Sequence, residues 1–356
     1  MVLMYYKKNI FNYIKKWYKP KINKIFKSMN KIYPEEDKWT NSYLEIQELK
    51  TTNEQVEFVV KECMQVQYFE NKDNNIELKL KSFVKKIQEN YKDNYYHCFE
   101  HALHVFKSAI LLWNKLSNRV CFDFNHIQHL ALLISALIHD VCHPGGFNSL
   151  LFGQDNAILY NDQSILENQS LTFTFQLLQQ DQYNFLVNLC EKEFSQFRKI
   201  VIDLVLGTDI GNKIRNTYLE QIAKTNNDNY GMIETETEEG RIVSLTYMLR
   251  CADVCAAMQS NEISWIWAER FYSECYTIFN GPPGSVTDTY SNQIIHIKNN
   301  TLKLVRQIIK LQILDNNFEE LLLYNITNNL TSWKKNAQSK ILSWKTKNQT
   351  IFDSKI

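Results

Sequence analysis

Turn-forming residues are scarce in this chain, with nine glycines and five prolines among 356 residues. A β-sandwich or barrel needs a turn about every ten residues, so this supply points to long helices instead. Ile76, Leu80, Phe83, Val84 and Ile87 recur at spacings of three and four, the stripe of an amphipathic helix. The same periodicity predicts helices over 96–116, 127–140, 164–180, 183–206, 241–258, 263–279 and 292–314, with one or two more reaching about 345. Pro144-Gly145-Gly146 must end the helix over 127–140, and Gly281-Pro282-Pro283-Gly284 is the strongest turn in the chain. There is no internal repeat and no strand-like alternation of useful length. The expected fold class is all-α, a single compact multi-helix domain.

Composition excludes several function classes. Hydrophobic residues make up 44% of the chain, enough for a sizeable core, which rules out wholesale disorder. Lys+Arg number 40 against 39 Asp+Glu, and this balance argues against a general nucleic-acid binder. Eight scattered cysteines form no CxxC pair and read as reduced thiols of a cytoplasmic protein. No run of about 18 apolar residues suggests a membrane span, and the N-terminus lacks the pattern of a secretory signal. Residues 1–33 carry nine lysines, no acidic residue and interleaved aromatics such as Tyr5, Phe11, Trp17 and Phe26. Such a segment can rest weakly on an anionic membrane surface. Pro20 interrupts it and its apolar positions keep no clean period, which favours a solvated tail or a docking helix. The expected organisation is a basic arm over 1–34, a catalytic unit over 35–345 and a tail over 346–356.

Histidine placement is the most informative local feature. Seven of the eight histidines fall between residues 97 and 143. His97 and His101 are one helical turn apart, as are His139 and His143, with Asp140 beside them at the end of an apolar run. Asp253 lies in an otherwise apolar helix, where an unpaired carboxylate would be costly and a divalent cation would supply the partner. Imidazole plus carboxylate suits zinc, iron, manganese or magnesium. Few protein ligands and open positions indicate a catalytic metal, whose bound water ionises near neutral pH.

The ordered motifs resemble the class I 3′,5′-cyclic-nucleotide phosphodiesterases, within the His-Asp metal phosphohydrolase group. The segments are Y-H-C-F-E-H-A-L-H-V at 96–105, H-D-V-C-H-P-G-G-F-N at 139–148, Y-N-D-Q-S-I-L-E-N at 160–168, L-G-T-D-I at 206–210, C-A-D at 251–253, W-A-E-R-F at 267–271 and Gln293. They span about residues 80–310 in the family order. The resemblance implies the all-helical phosphodiesterase fold and metal-dependent hydrolysis of cyclic AMP, cyclic GMP or both to the 5′-monophosphate. By the same resemblance His101, His139, Asp140 and Asp253 hold a tight zinc ion, and Asp140 bridges to a second ion, magnesium or manganese. A hydroxide activated by both ions attacks phosphorus, and His97 is the general acid for the 3′ oxygen. His143, Glu167, Thr208 and Asp209 orient ligands and bound waters. Gln293 hydrogen-bonds the purine edge, and His296 stands where the family has a stacking phenylalanine.

Several positions depart from the family pattern. Cys98 replaces an asparagine, His104 and Cys142 replace aspartates, and Ala256 stands where a base-contacting asparagine is usual. None is a family metal ligand, so metal binding should survive, and His104 reads as a substitute hydrogen-bonding partner. Trp265, Trp267, Phe271, Tyr272 and Tyr276 read as core, and Cys251 with Cys255 as packing. Two alternatives remain on these residues: a different His-Asp phosphohydrolase, or a cyclic-nucleotide-binding regulator without catalysis. A homodimer is compatible with either.

Overall fold

A computed structural model of the chain describes residues 38–70, 74–118, 120, 123–225, 233–279 and 286–348. Among them the α-helices are α1 (Ser42–Gln47), α2 (Thr52–Cys63), α3 (Asn74–Asn90), α4 (Phe99–Trp113), α5 (His126–Ile138), α6 (Asp155–Leu159) and α7 (Ile165–Leu178). They continue as α8 (Glu191–Thr208), α9 (Lys213–Thr225), α10 (Glu238–Asp253), α11 (Asn261–Phe279), α12 (Val286–His296), α13 (Leu302–Leu311) and α14 (Asn316–Lys347). A π-helical turn, Ile297–Thr301, joins α12 to α13. The described residues hold no strand; Leu116 and Leu314 form one isolated antiparallel bridge. The fold is all-α, as the periodicity implied.

Helix α5 lies at the centre, against α4, α8 and α10. Its residues from Leu130 to Ile138 are all buried, the expected state of a helix that is apolar on every side. A capping box starts it: Asn125 Oδ1 accepts the Gln128 N–H, and Gln128 Oε1 accepts the Asn125 N–H. Helix α10 is buried almost as completely. It crosses close to the end of α8, where a Cβ on Gly207 would meet Thr246 Cγ2 at 2.4 Å. Only glycine allows this approach, which carries Thr208 and Asp209 towards the end of α10.

Two helix expectations need correction. The helix expected over 183–206 begins only at Glu191, because Cys190 and Glu193 form a capping box that sets a new N-terminus. Phe185, ahead of it, is a buried plug against Phe69 and Phe83. Helix α9 was not expected at all, since its segment is mostly polar and buries Leu219 and Ala223 as its apolar contacts. The basic arm and the Gly281–Gly284 turn lie outside the described residues. No helix among the described residues is long and apolar enough to cross a membrane.

Candidate active site

The candidate ligands sit on helix ends that meet beside α5. His101 occupies the first turn of α4, His139 is the C-cap of α5, and Asp253 is the last residue of α10. After His139 the chain reverses sharply. Cys142 takes a left-handed φ of 67° and Gly145 one of 91°. This turn brings His143 back onto His97, with the two rings stacked at 3.9 Å and 13°. The Asn94 amide donates to both backbone carbonyls, 3.0 Å to His97 and 2.9 Å to His143, and ties the two segments together.

His101, His139 and Asp140 offer ligand atoms within 4.8 Å of one another. His101 Nε2 lies 3.2 Å from Asp253 Oδ1. His139 donates its Nδ1–H to the Ala136 carbonyl at 3.0 Å, which leaves Nε2 as the free ring nitrogen. That atom lies 3.1 Å from Asp140 Oδ2 and 3.5 Å from Asp253 Oδ1. It is nevertheless buried without a hydrogen-bond partner, because the distances are right and the angles are not. Burial opposes a charge on His139, yet Asp140 and Asp253 raise it, so its Nε2 keeps a proton between two carboxylates; a divalent cation would take that proton's place, and these residues fit such an ion. Burial opposes ionisation of both aspartates, yet the neighbouring imidazoles hold Asp140 and Asp253 below the usual carboxylate range. Burial pushes His101 down, towards the neutral ligand form.

His97 faces a different partner. Its Nδ1 lies 2.5 Å from Glu274 Oε1 on α11. The other oxygen of Glu274 accepts the backbone N–H groups of Tyr96 and His97 at 2.8 and 2.9 Å. Burial works against the charge on each, but their mutual hydrogen bond wins: His97 is raised, and Glu274 is held down at about 2. His143 has the opposite balance. Burial and the neighbouring His97 push it down to about 3, and its Nδ1 accepts the Gly145 N–H at 3.0 Å.

A cavity of about 670 Å³ opens onto this cluster. Its lining includes His97, His139, Asp140, His143 and Asp253 on one side, and Glu167, Thr208 and Asp209 on the other. Glu167 accepts from the Asn148 amide at 3.0 Å; burial and the charge of Asp209 push its carboxyl up to about 7. Thr208 turns its hydroxyl back to the Val205 carbonyl. Gln293 is half-buried on α12, and His296 ends that helix with Nδ1 3.2 Å from the Asn300 amide nitrogen. Neither lines this cavity. His104 is engaged elsewhere: Nε2 meets Gln259 Oε1 at 2.8 Å, and burial lowers its pKa to about 3. It is a hydrogen-bonding residue and stands outside the ligand cluster. Trp265, Trp267 and Tyr272 are buried, and Cys251 and Cys255 pack inside.

The family model for 3′5′-cyclic nucleotide phosphodiesterase matches residues 96–280, just over half of the chain. The chain belongs to the 3′,5′-cyclic-nucleotide phosphodiesterase family. A Caenorhabditis elegans relative, described as a probable 3′,5′-cyclic-AMP phosphodiesterase, is 34% identical over 203 residues, covering 55% of this chain and 29% of the relative. A Plasmodium falciparum dual 3′,5′-cyclic-AMP and -GMP phosphodiesterase is 31% identical over 210 residues, covering 58% and 18%. The match therefore spans less than a third of either relative's length. The fold agrees with the phosphodiesterase domain of a Salpingoeca rosetta rhodopsin phosphodiesterase, with a TM-score of 0.70 at 24% identity over 86% of this chain and 94% of that one.

Within this phosphodiesterase-family frame, Glu274 and Asn94 were not singled out in the sequence, and Asn148 closed the motif at 139–148 without a role of its own. Glu274 had a signal. It continues the Trp267–Phe271 stripe of α11 at helical spacing and is only 4% exposed, so it is a carboxylate on an aromatic, buried face. Asn94 had none, because what marks it is the pair of carbonyls it bonds, and the motif that ends at Asn148 did not give that residue its bonds to Glu167 and Leu166.

Proposed function

We propose that this chain hydrolyses the 3′ ester bond of 3′,5′-cyclic purine nucleotides, cyclic AMP or cyclic GMP, to give the nucleoside 5′-monophosphate. The observation that carries the reading is that His139, Asp140 and Asp253, clustered with His101, line the same cavity as His97, whose Nδ1 meets Glu274 behind it. Family membership and the names of the two relatives support the substrate class.

His101, His139, Asp140 and Asp253 would hold a divalent cation, zinc by the family resemblance, and Asp140 would share a second one, magnesium or manganese. When bound, such ions activate water for in-line attack and neutralise charge on phosphoryl oxygens. His97 supplies the proton. With Nδ1–H committed to Glu274, Nε2–H is the group left to protonate the departing 3′ oxygen, a poor leaving group as an alkoxide. His143, accepting at Nδ1, keeps Nε2–H as a donor at the cavity wall. Glu167, Thr208 and Asp209 would orient water on the far wall. Gln293 and His296 would contact the base. Residues 35–345 form the catalytic unit in this reading.

The test is hydrolysis of cyclic AMP and cyclic GMP by purified protein with magnesium or manganese, after chelation, and in His97→Ala and Asp253→Ala variants. Turnover should vanish on chelation, return with metal, and fall at least ~100-fold in either variant. Full activity in Asp253→Ala would overturn the reading.

A further inference from the structure

The loop that walls the cavity between residues 160 and 165 holds an unusual serine. Asn161, Asp162 and Ser164 all have left-handed backbone, with φ of 52°, 57° and 43°. Asparagine and aspartate tolerate this region, whereas serine seldom adopts it. Ser164 is also the N-cap of α7, yet its side chain makes no cap hydrogen bond. A serine there normally bonds the N–H of the second or third helical residue. Here the hydroxyl, on a residue only 6% exposed, is turned to another element. It donates to Asp209 Oδ2 at 2.8 Å and accepts the Asn212 Nδ2–H at 3.1 Å.

Asp209 is held from its other side as well. Its Oδ1 accepts the backbone N–H of Gly211 at 2.9 Å and of Asn212 at 3.2 Å. The turn alone fixes one oxygen, and Ser164 fixes the second, across 45 residues of sequence. With both oxygens tied, the carboxylate plane cannot rotate at the cavity wall. Ser164, Glu167 and Asp209 line the same cavity as Asp140.

We propose that Ser164 is the positioning residue for Asp209, and that its hydroxyl, held by the left-handed cap, sets how tightly the second divalent cation is kept. This rests on the phosphodiesterase reading above for the role of Asp209. The serine touches neither substrate nor ion; it acts by orienting the carboxylate. The strain of the left-handed cap and the forgone helix cap are then accounted for by one bond.

Two variants separate the hydroxyl from the backbone. Ser164→Ala removes the hydroxyl and keeps the left-handed demand; Ser164→Gly removes the hydroxyl and relieves the demand. The full chain, stripped of metal, is titrated with Mn2+ alone, and free Mn2+ is read by electron paramagnetic resonance. Both variants should raise the Mn2+ concentration that half-fills the weaker site about tenfold, and leave the tighter site unchanged. Should the alanine variant not fold, the glycine variant, free of strain, carries the comparison. Parental Mn2+ binding in both variants would overturn the proposal, as would parental binding in glycine alone, or a parent with no weaker site. Equal weakening of both sites would mark a general structural role and also overturn it. If the parent hydrolyses neither cyclic nucleotide, the phosphodiesterase reading falls, while the Mn2+ titration still decides the role of Ser164.

Discussion

His97 Nδ1 and Glu274 Oε1 are 2.5 Å apart although 177 residues separate them in the chain. The pair makes the acid strength of His97 a property of α11. In the proposed role of general acid His97 must be protonated, so its contribution would persist below the raised pKa and be lost as pH rises through it. Glu274→Gln reverses the balance. The amide can donate to Nδ1, which stabilises the neutral ring, and burial then pulls His97 down. The expected result is a fall in kcat of about 100-fold at neutral pH, with the alkaline limb of the kcat/KM profile moved to lower pH. An unmoved limb would mean that Glu274 only braces the backbone of Tyr96 and His97.

Glu167 gives a stability prediction with the same pH direction. Its pKa is raised from 4.5 to about 7, first by burial and then by Asp209. The folded state therefore binds more protons than the unfolded one, and stability falls as pH rises between these two values. Glu167→Gln keeps an acceptor for the Asn148 amide and removes the charge. In metal-free protein it should stabilise by ~1–3 kcal/mol at pH 8 and by nothing at pH 4. Denaturant unfolding at both values measures the difference; an equal effect at the two would dismiss the charge as the cause.

Gln259 tests the layer behind the site. It accepts from His104 at 2.8 Å and donates to Ser42 Oγ at 2.9 Å, and all three are buried. Gln259→Ala strands two polar groups and leaves a void, which should cost ~2–4 kcal/mol of folding stability. Thermal unfolding of the variant should show the loss, and metal stoichiometry should be unchanged. Loss of bound metal instead would place His104 among the groups that hold His101.

Local spacing carried most of what could be read in advance. The stripe Ile76, Leu80, Phe83, Val84 and Ile87 is wholly buried in α3, and the run ending at Ile138 is the central helix. His101, His139, Asp140 and Asp253 stood out because imidazoles and carboxylates on apolar helices have no cheap local explanation. Glu274, Asn94 and Ser164 did not, since each is defined by a partner 45 to 178 residues away. Periodicity reports which face is buried and says nothing about which remote atom meets it. Helix α9 was missed for a related reason, as its buried pair, Leu219 and Ala223, is too short a stripe to read.

The ligand cluster is built from the last residue of α10, the cap of α5 and the first turn of α4. Helix ends are where backbone hydrogen bonds open most readily, by local fraying far short of global unfolding. The core of α5 is rigid, but the amides that follow it, from His139 to His143, and those after Asp253 belong to the easily opened class. Amide hydrogen exchange should therefore be fast in these two short stretches in metal-free protein and slow sharply when a cation is seated, with Leu130 to Ile138 protected throughout. The site is a set of loose ends on a fixed frame, and a seated ion would be the clasp.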